Sequence, residues 1–439
     1  MAKVFRPWDV EQVWLLPPSV QQLVPEGHVA HFVRETVRES IDLSEVIGSY
    51  GEERGQPPYH PVMMTALLLY AYSQGVYSSR RIARACEERV DFMAVTALQR
   101  PDFRTIAEFR RRHLKALANV FKQVVTLCRR AGLVRLGHVA LDGTKIRANA
   151  SKHKAMSYGR MAAEEKRLEA EVKSWLSQAE QLDRREDKKH GADQRGDEMP
   201  DWVKSKQLRL QKIRDARAAL EAEAREKDPP PPPPVEGGKR GRPRKHPAGV
   251  PQPDAQRNFT DPESRIMMST EGFQQCFNAQ AAVDSEHQVI VACGLTQSAT
   301  DRNQLVPLLD GIRSNCGTDP VEVSADSDYC TEEALEILEQ RRIRGYIATG
   351  KQQHGQRAPT VGRKVAAGSL RDRMRRRLLC GGYRSRYRLR KQIVEPVYGQ
   401  IKAARGFRQF LLRGVVKVAA EWSLVCSASN LLKLHQAPG

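Results

Sequence analysis

Apolar positions in the first third of the chain recur with the period of a helix. Residues 60–75 are apolar on almost every face, with Pro61 placed to start a helix and Gly75 to stop it, and predict a buried helix. Residues 78–87 begin with an N-capping serine and set arginines beside an apolar stripe. A further helix is expected from Asp102 to about Ala131. Residues 1–132 thus form a helical unit. Its basic helices, with Arg80 and Arg81 on the exposed face, suit a helix-turn-helix DNA reader. A bundle with a solvated charged face accounts for this segment equally well.

From His138 to Arg147 the period becomes that of a strand, and residues 133–157 hold this first strand. Helical periodicity returns over 158–227. Leu168, Val172, Trp175, Ala179 and Leu182 alternate at spacings of four and three, a coiled-coil seam. Leu210, Ile213 and Leu220 line a second stretch, so a helical hairpin is expected, turning near His190 to Pro200. Residues 228–260 open on consecutive prolines and a Gly/Arg-rich run that cannot build a core, and predict an extended linker. Over 261–439 strands are expected at 277–284, 288–295, 321–325 and 345–349. Helices are expected at 303–314 and 331–341, around Glu395 and at 415–434, with 351–377 weakly structured.

Charge narrows the partners. The 439 residues carry 72 Lys and Arg against 52 Asp and Glu, a formal net charge of +20. So basic a chain suits a polyanion, nucleic acid first. The eight cysteines form no C-x-x-C pair, which predicts reduced core thiols and no structural zinc. No apolar h-region opens the chain and no apolar run is expected to span a bilayer, so a cytoplasmic protein with no membrane partner is predicted. Between Arg373 and Ala420 a single acid, Glu395, stands among many lysines and arginines. Phosphodiester chemistry calls for that combination: a carboxylate to hold a divalent metal and cations to hold the nucleic acid.

The order of strands and helices is that of an α/β, RNase H-like core: three antiparallel strands, then alternating helices and strands. In that topology the middle of the first strand and the end of the fourth lie side by side. Asp142 and Asp326 occupy those places, and a late helix can bring Glu395 to them. Three such carboxylates would hold two Mg²⁺ ions. Asp328, two residues beyond Asp326, is a rival second ligand if the strand continues. Asp284 is expected in a turn or supporting role; Asp261 and Asp301 read as turn and helix-cap residues.

These residues resemble the DDE transposases of bacterial insertion sequences, in the branch with a Tyr/Arg–Glu–Lys signature. The resemblance is carried by Leu141-Asp142-Gly143-Thr144-Lys145, by Phe277-Asn278-Ala279-Gln280-Ala281-Ala282-Val283-Asp284 and by Ala325-Asp326-Ser327-Asp328-Tyr329. Residues 394–402 around Glu395, with Arg413-Gly414, complete it. It implies Asp142, Asp326 and Glu395 as the catalytic, metal-binding triad, with Mg²⁺ (two per site, Mn²⁺ substituting) as cofactor. Lys402 would contact a DNA phosphate, and Tyr387 and Arg390 resemble the Tyr and Arg of the signature. Arg390 precedes the acid by five positions rather than four, and Lys391 stands at the expected spacing.

Lys239 to Lys245 matches an AT-hook, in which Arg240, Gly241, Arg242 and Pro243 would lie in a narrow A·T minor groove. As a plain basic linker the same stretch would still bind phosphates. The resemblance implies an enzyme that cleaves and rejoins DNA at the ends of its own element. Its partners would be the terminal repeats and target DNA, with a homodimer in the complex. Two other readings share the scaffold: an inactive DNA-binding regulatory or architectural protein, and a nuclease without strand transfer.

Overall fold

The computed structural model describes residues 19–51, 57–190, 201–228, 247–269, 271–350, 369–381 and 386–437. Helices α1 (Val29–Ser40), α2 (Ser44–Gly48), α3 (Pro61–Ser73), α4 (Ser79–Glu88), α5 (Val90–Thr96), α6 (Phe103–Arg112) and α7 (Leu114–Arg130) come first. In α3, His60 caps the N-terminus through Val62 N, Pro61 enters the first turn, and Leu67, Leu68, Leu69 and Tyr70 are fully buried. Gly75 then reverses the chain at φ +72°, where a Cβ would stand 2.7 Å from the Arg405 carbonyl oxygen. The single helix expected over 102–131 is two, broken at His113. Its ring packs on Phe109 and Tyr50, and its Nε2 lies 3.0 Å from the Tyr50 hydroxyl, so a tertiary contact overrides helical propensity.

After α7 come β1 (His138–Arg147), β2 (Ala155–Ser157), α8 (Tyr158–His190), α9 (Asp201–Lys227), β3 (Gln256–Asn258), β4 (Arg265–Ser269), β5 (Gly272–Asp284) and β6 (Ile290–Thr296). The chain continues through α10 (Leu305–Cys316), β7 (Glu322–Ala325), α11 (Glu332–Gln340), β8 (Arg344–Ile347), α12 (Leu370–Gly381), α13 (Leu389–Gly399) and α14 (Val415–His435). The main sheet runs β6-β5-β1-β7-β8, with β4 pairing the first part of β5. β1, β5 and β6 are antiparallel neighbours, while β7 and β8 run parallel to β1. The result is a mixed α/β fold with a helical N-terminal region.

Three further expectations need correction. Residues 370–377 belong to α12, where Met374 packs under β8 and Arg377 donates to the Gly345 carbonyl, so that part of the stretch expected to be weakly structured is helical. The far end of the expected linker is also ordered. β3 pairs with β2, and buried Asn258 donates to the Ser151 carbonyl and accepts from Thr260 and Asp261. Finally, α14 is long and apolar enough to cross a membrane by length and composition, against the expectation that no run would be. Most of it is buried against α7, α3 and β6, and core packing accounts for its composition.

Because α14 touches both the N-terminal helices and the sheet, one continuous apolar core joins them. α8 and α9 pack on a small core of their own, Met161, Leu168, Leu210, Ile213, Ala216 and Leu220. Of the expected α8 seam Leu168 is part of it, and the side chains of Ala179 and Leu182 lie outside the described residues. Residues 191–200, where the turn between the two helices was expected, lie outside the described residues.

Candidate active site

Asp142 sits in the middle of β1 and Asp326 directly after β7. The two strands pair in parallel through Ala140 and Ser324, so two residues further along, Asp142 and Asp326 stand side by side. Burial pushes the Asp142 carboxyl up to about 6; the Arg390 guanidinium opposes the shift and the Asp326 charge adds to it. Burial raises Asp326 as well. Arg390 Nη1 lies 3.0 Å from Asp142 Oδ2 and offsets part of this repulsion. Asp326 Oδ1 accepts from Asp328 N at 2.9 Å and caps a 3-10 turn over Ser327–Tyr329. The strand therefore ends at Ala325, and Asp328 does not sit on a continued strand face.

Helix α13 lies across β1 and β5. Arg390, Ile393, Val394 and Val397 form its buried face. Tyr398 donates to the Asp142 carbonyl at 2.6 Å, which ties the helix to the strand at the acid itself. Glu395 is solvent-exposed on α13. Among the described residues no three His, Cys, Asp or Glu side chains are grouped to hold a metal ion. After α13 the helix widens to a π-turn over Gln400–Ala404, a feature frequent at functional sites. Lys402 within it donates to Thr144 Oγ1 at 3.0 Å and to the Lys145 carbonyl at 3.2 Å, and burial lowers its pKa. Tyr387 is half-buried near Arg390, and Lys391 is exposed. Arg240, Gly241, Arg242 and Pro243 lie outside the described residues. Arg80 and Arg81 are exposed on α4, and Arg80 stacks 5.1 Å from the centroid of the Phe103 ring.

Asp301, expected to cap a turn or helix, does something else. The N-cap of α10 is Gln304, which makes no side-chain cap bond. Asp301 Oδ1 instead accepts from Asn278 Nδ2 and Gln280 Nε2, each at 2.6 Å, and lies 3.8 Å from Lys145 Nζ. Its charge reaches both Asp142 and Asp326. A signal was present in the sequence: Asn278 and Gln280, at a spacing of two in the otherwise apolar run 276–283, share one face. Asp284 fills the expected turn role, accepting from Leu136 N at 2.8 Å and Glu286 N at 3.0 Å. Asp261 holds its expected turn through Glu263 N at 3.4 Å and also accepts from the distant Gly414 N at 3.3 Å.

Two carboxylates thus stand close at the centre of a mixed sheet, with α13 and its Arg390 laid over them. Residues 18–112 match the model of a transposase domain (DUF772), and residues 349–435 match that of a transposase DDE domain. Both matches support an insertion-sequence DDE transposase. The first match covers the helical layer through α6. The second covers Glu395 and Lys402, while Asp142 and Asp326 fall outside it. Searches of curated proteins and of solved structures give no match.

Proposed function

We propose that this transposase cleaves DNA at the ends of its element and joins the freed ends to a target, using Asp142, Asp326 and Glu395 on an RNase H-like core. The observation that carries the reading is the adjacency of Asp142 and Asp326 across β1 and β7, each destabilised as an anion. The strand order β6-β5-β1-β7-β8 supports the RNase H-like assignment. Both donors are carboxylate oxygens, the ligand type that Mg²⁺ or Mn²⁺ takes, and a divalent cation would relieve the repulsion that Arg390 only partly offsets. When bound, such ions supply Lewis-acid stabilisation of the phosphoryl oxygens and an activated water or 3′-hydroxyl.

The chain's own residues hold and orient. Tyr398 fixes the Asp142 backbone, and Lys402 braces Thr144 and offers a cation beside the strand. Lys391, Tyr387, Arg80 and Arg81, with the AT-hook-like residues Arg240 to Pro243, would grip DNA phosphates or the minor groove. A homodimer bridging both element ends belongs to the same reading.

Asp142→Ala, Asp326→Ala and Glu395→Ala should each abolish Mg²⁺-dependent nicking of terminal-repeat DNA while leaving its binding within a few-fold, read by gel shift on the same preparations. Retained cleavage in any of the three would remove that residue from the site. Two observations favour a second reading, an inactive DNA-binding scaffold: Glu395 stands exposed and Asp142 is already paired with Arg390. That reading predicts no cleavage by the wild-type protein and DNA binding indifferent to metal. A strand-transfer assay separates a transposase from a nuclease on the same site.

A further inference from the structure

The Asp-Gly-Thr-Lys and Asn-Ala-Gln segments meet in a buried polar knot that the proposed chemistry leaves unused. Gly143 lies opposite Gln280 in the β1–β5 register, and Lys145 opposite Asn278. A Cβ at position 143 would collide with Asp301 Oδ1 and Gln280 Nε2 and stand 2.8 Å from Asn278 Oδ1. Only glycine lets these three side chains converge on the backbone immediately after Asp142. Asn278 and Gln280 are fully buried, and Tyr329 donates to Gln280 Oε1, which fixes the amide with its nitrogen toward Asp301. Asp301 is itself 6% exposed.

A buried carboxylate is costly unless donors surround it. Here two amides and, more distantly, an ammonium converge on one oxygen, an arrangement suited to a charged acceptor. Nothing in local folding requires an acid there, since α10 is not capped by it. Asn278 Oδ1 stays buried without a hydrogen-bond partner, so the knot is polar beyond what packing needs.

We propose that Asp301 is a positioning carboxylate of the Asp142–Asp326 site. Clamped by Asn278 and Gln280 through the gap at Gly143, it fixes the β1 backbone at Asp142 and backs the acid pair with a further fixed negative charge. The inference rests on the reading of Asp142 and Asp326 as metal ligands. Asp301 acts on them without touching either: its clamp holds the strand beside Asp142, and its charge adds to the field that draws a divalent cation to the pair.

The test is a Mn²⁺ titration of the full chain without DNA, following free Mn²⁺ by electron paramagnetic resonance, beside thermal melting and DNA binding. Asp301→Asn keeps the shape and an acceptor oxygen for the amides but removes the charge. It should weaken Mn²⁺ binding by about 10- to 100-fold, with melting and DNA affinity unchanged. Gln280→Met, which loosens the clamp and leaves the acid, should weaken it less, and it carries the test if Asp301→Asn fails to fold. Wild-type Mn²⁺ affinity in the folded Asp301 or Gln280 variant, with affinity lost in Asp142→Asn, would overturn this inference and leave the site standing. Unchanged affinity in Asp142→Asn would overturn the site reading and this inference with it.

Discussion

Glu421 is fully buried in α14, where its carboxylate accepts from Leu411 N and Leu412 N near Arg110 and Tyr72. Burial pushes its carboxyl up to about 7, and those hydrogen bonds and Arg110 only partly oppose the shift. A carboxyl whose folded pKa is raised stabilises the fold fully below its unfolded value, near 4.5. That contribution is lost as pH rises through the folded value. Stability should therefore fall between about pH 5 and 8, with Asp142 adding the same sign over a lower window, up to about 6. Glu421→Gln, which keeps an acceptor for the two amides, should flatten most of this slope. At pH 8 it should gain on the order of 3 kcal/mol over wild type by urea unfolding; a variant that keeps the wild-type slope would clear Glu421 of the effect. Sequence shows Glu421 as one acid on an apolar helix and cannot show that it meets a loop and an arginine from the N-terminal helices. Asp142 and Asp326 were legible because each interrupts or ends an apolar strand. Asp301 follows a polar turn, and only folding directs its side chain under β1.

At the scale of elements, the hairpin of α8 and α9 stands apart from the main core. Its apolar seam is short, and Arg214 and Arg217 both pair with Glu165 across the two helices. Ion pairs at such partly exposed positions contribute little, so the seam has to hold the hairpin together. Ile213→Ala removes about 2–5 kcal/mol from a unit with little to spare. Hydrogen exchange should then lose protection over 158–227 while β1 amides stay protected; parallel loss in β1 would show the hairpin to be part of the main fold. Part of the seam was readable, since Leu168 on α8 and Leu210, Ile213 and Leu220 on α9 recur at helical spacing and that periodicity is local. The break at His113 was not, because it depends on Tyr50, which is distant in sequence.

Across the whole molecule, the helical layer matched by the transposase domain model is not a tethered module. α14 packs on α3 and α7 on one side and β6 on the other, and the Tyr77 hydroxyl donates to the Arg405 carbonyl at 3.1 Å. Residues 1–132 alone would expose the surface that α14 covers. Expressed alone, they should give helical circular dichroism without a cooperative melt, and in the full chain these helices should melt together with the sheet. A sharp independent transition for the fragment would restore the picture of a separate reader. The basic surface that presents Arg80 and Arg81 is thereby held in a fixed relation to Asp142 and Asp326.

Periodicity was enough to determine most of the longer helices and strands, and the place of Asp142 within and of Asp326 just after an apolar strand, because each depends on a short stretch. That the two acids are neighbours followed from the topology the strand order suggested, and β2, β3, β4, α12 and the break at His113 were not read. Tertiary structure alone decided that Arg390 pairs with Asp142, that Tyr398 and Lys402 brace β1, and that Asp301 is drawn beneath Gly143 by two amides. It also decided that the N-terminal helices share one core with the sheet. Those features join residues far apart in the chain, and a side chain's partner across such a distance is set by packing rather than by its neighbours in sequence.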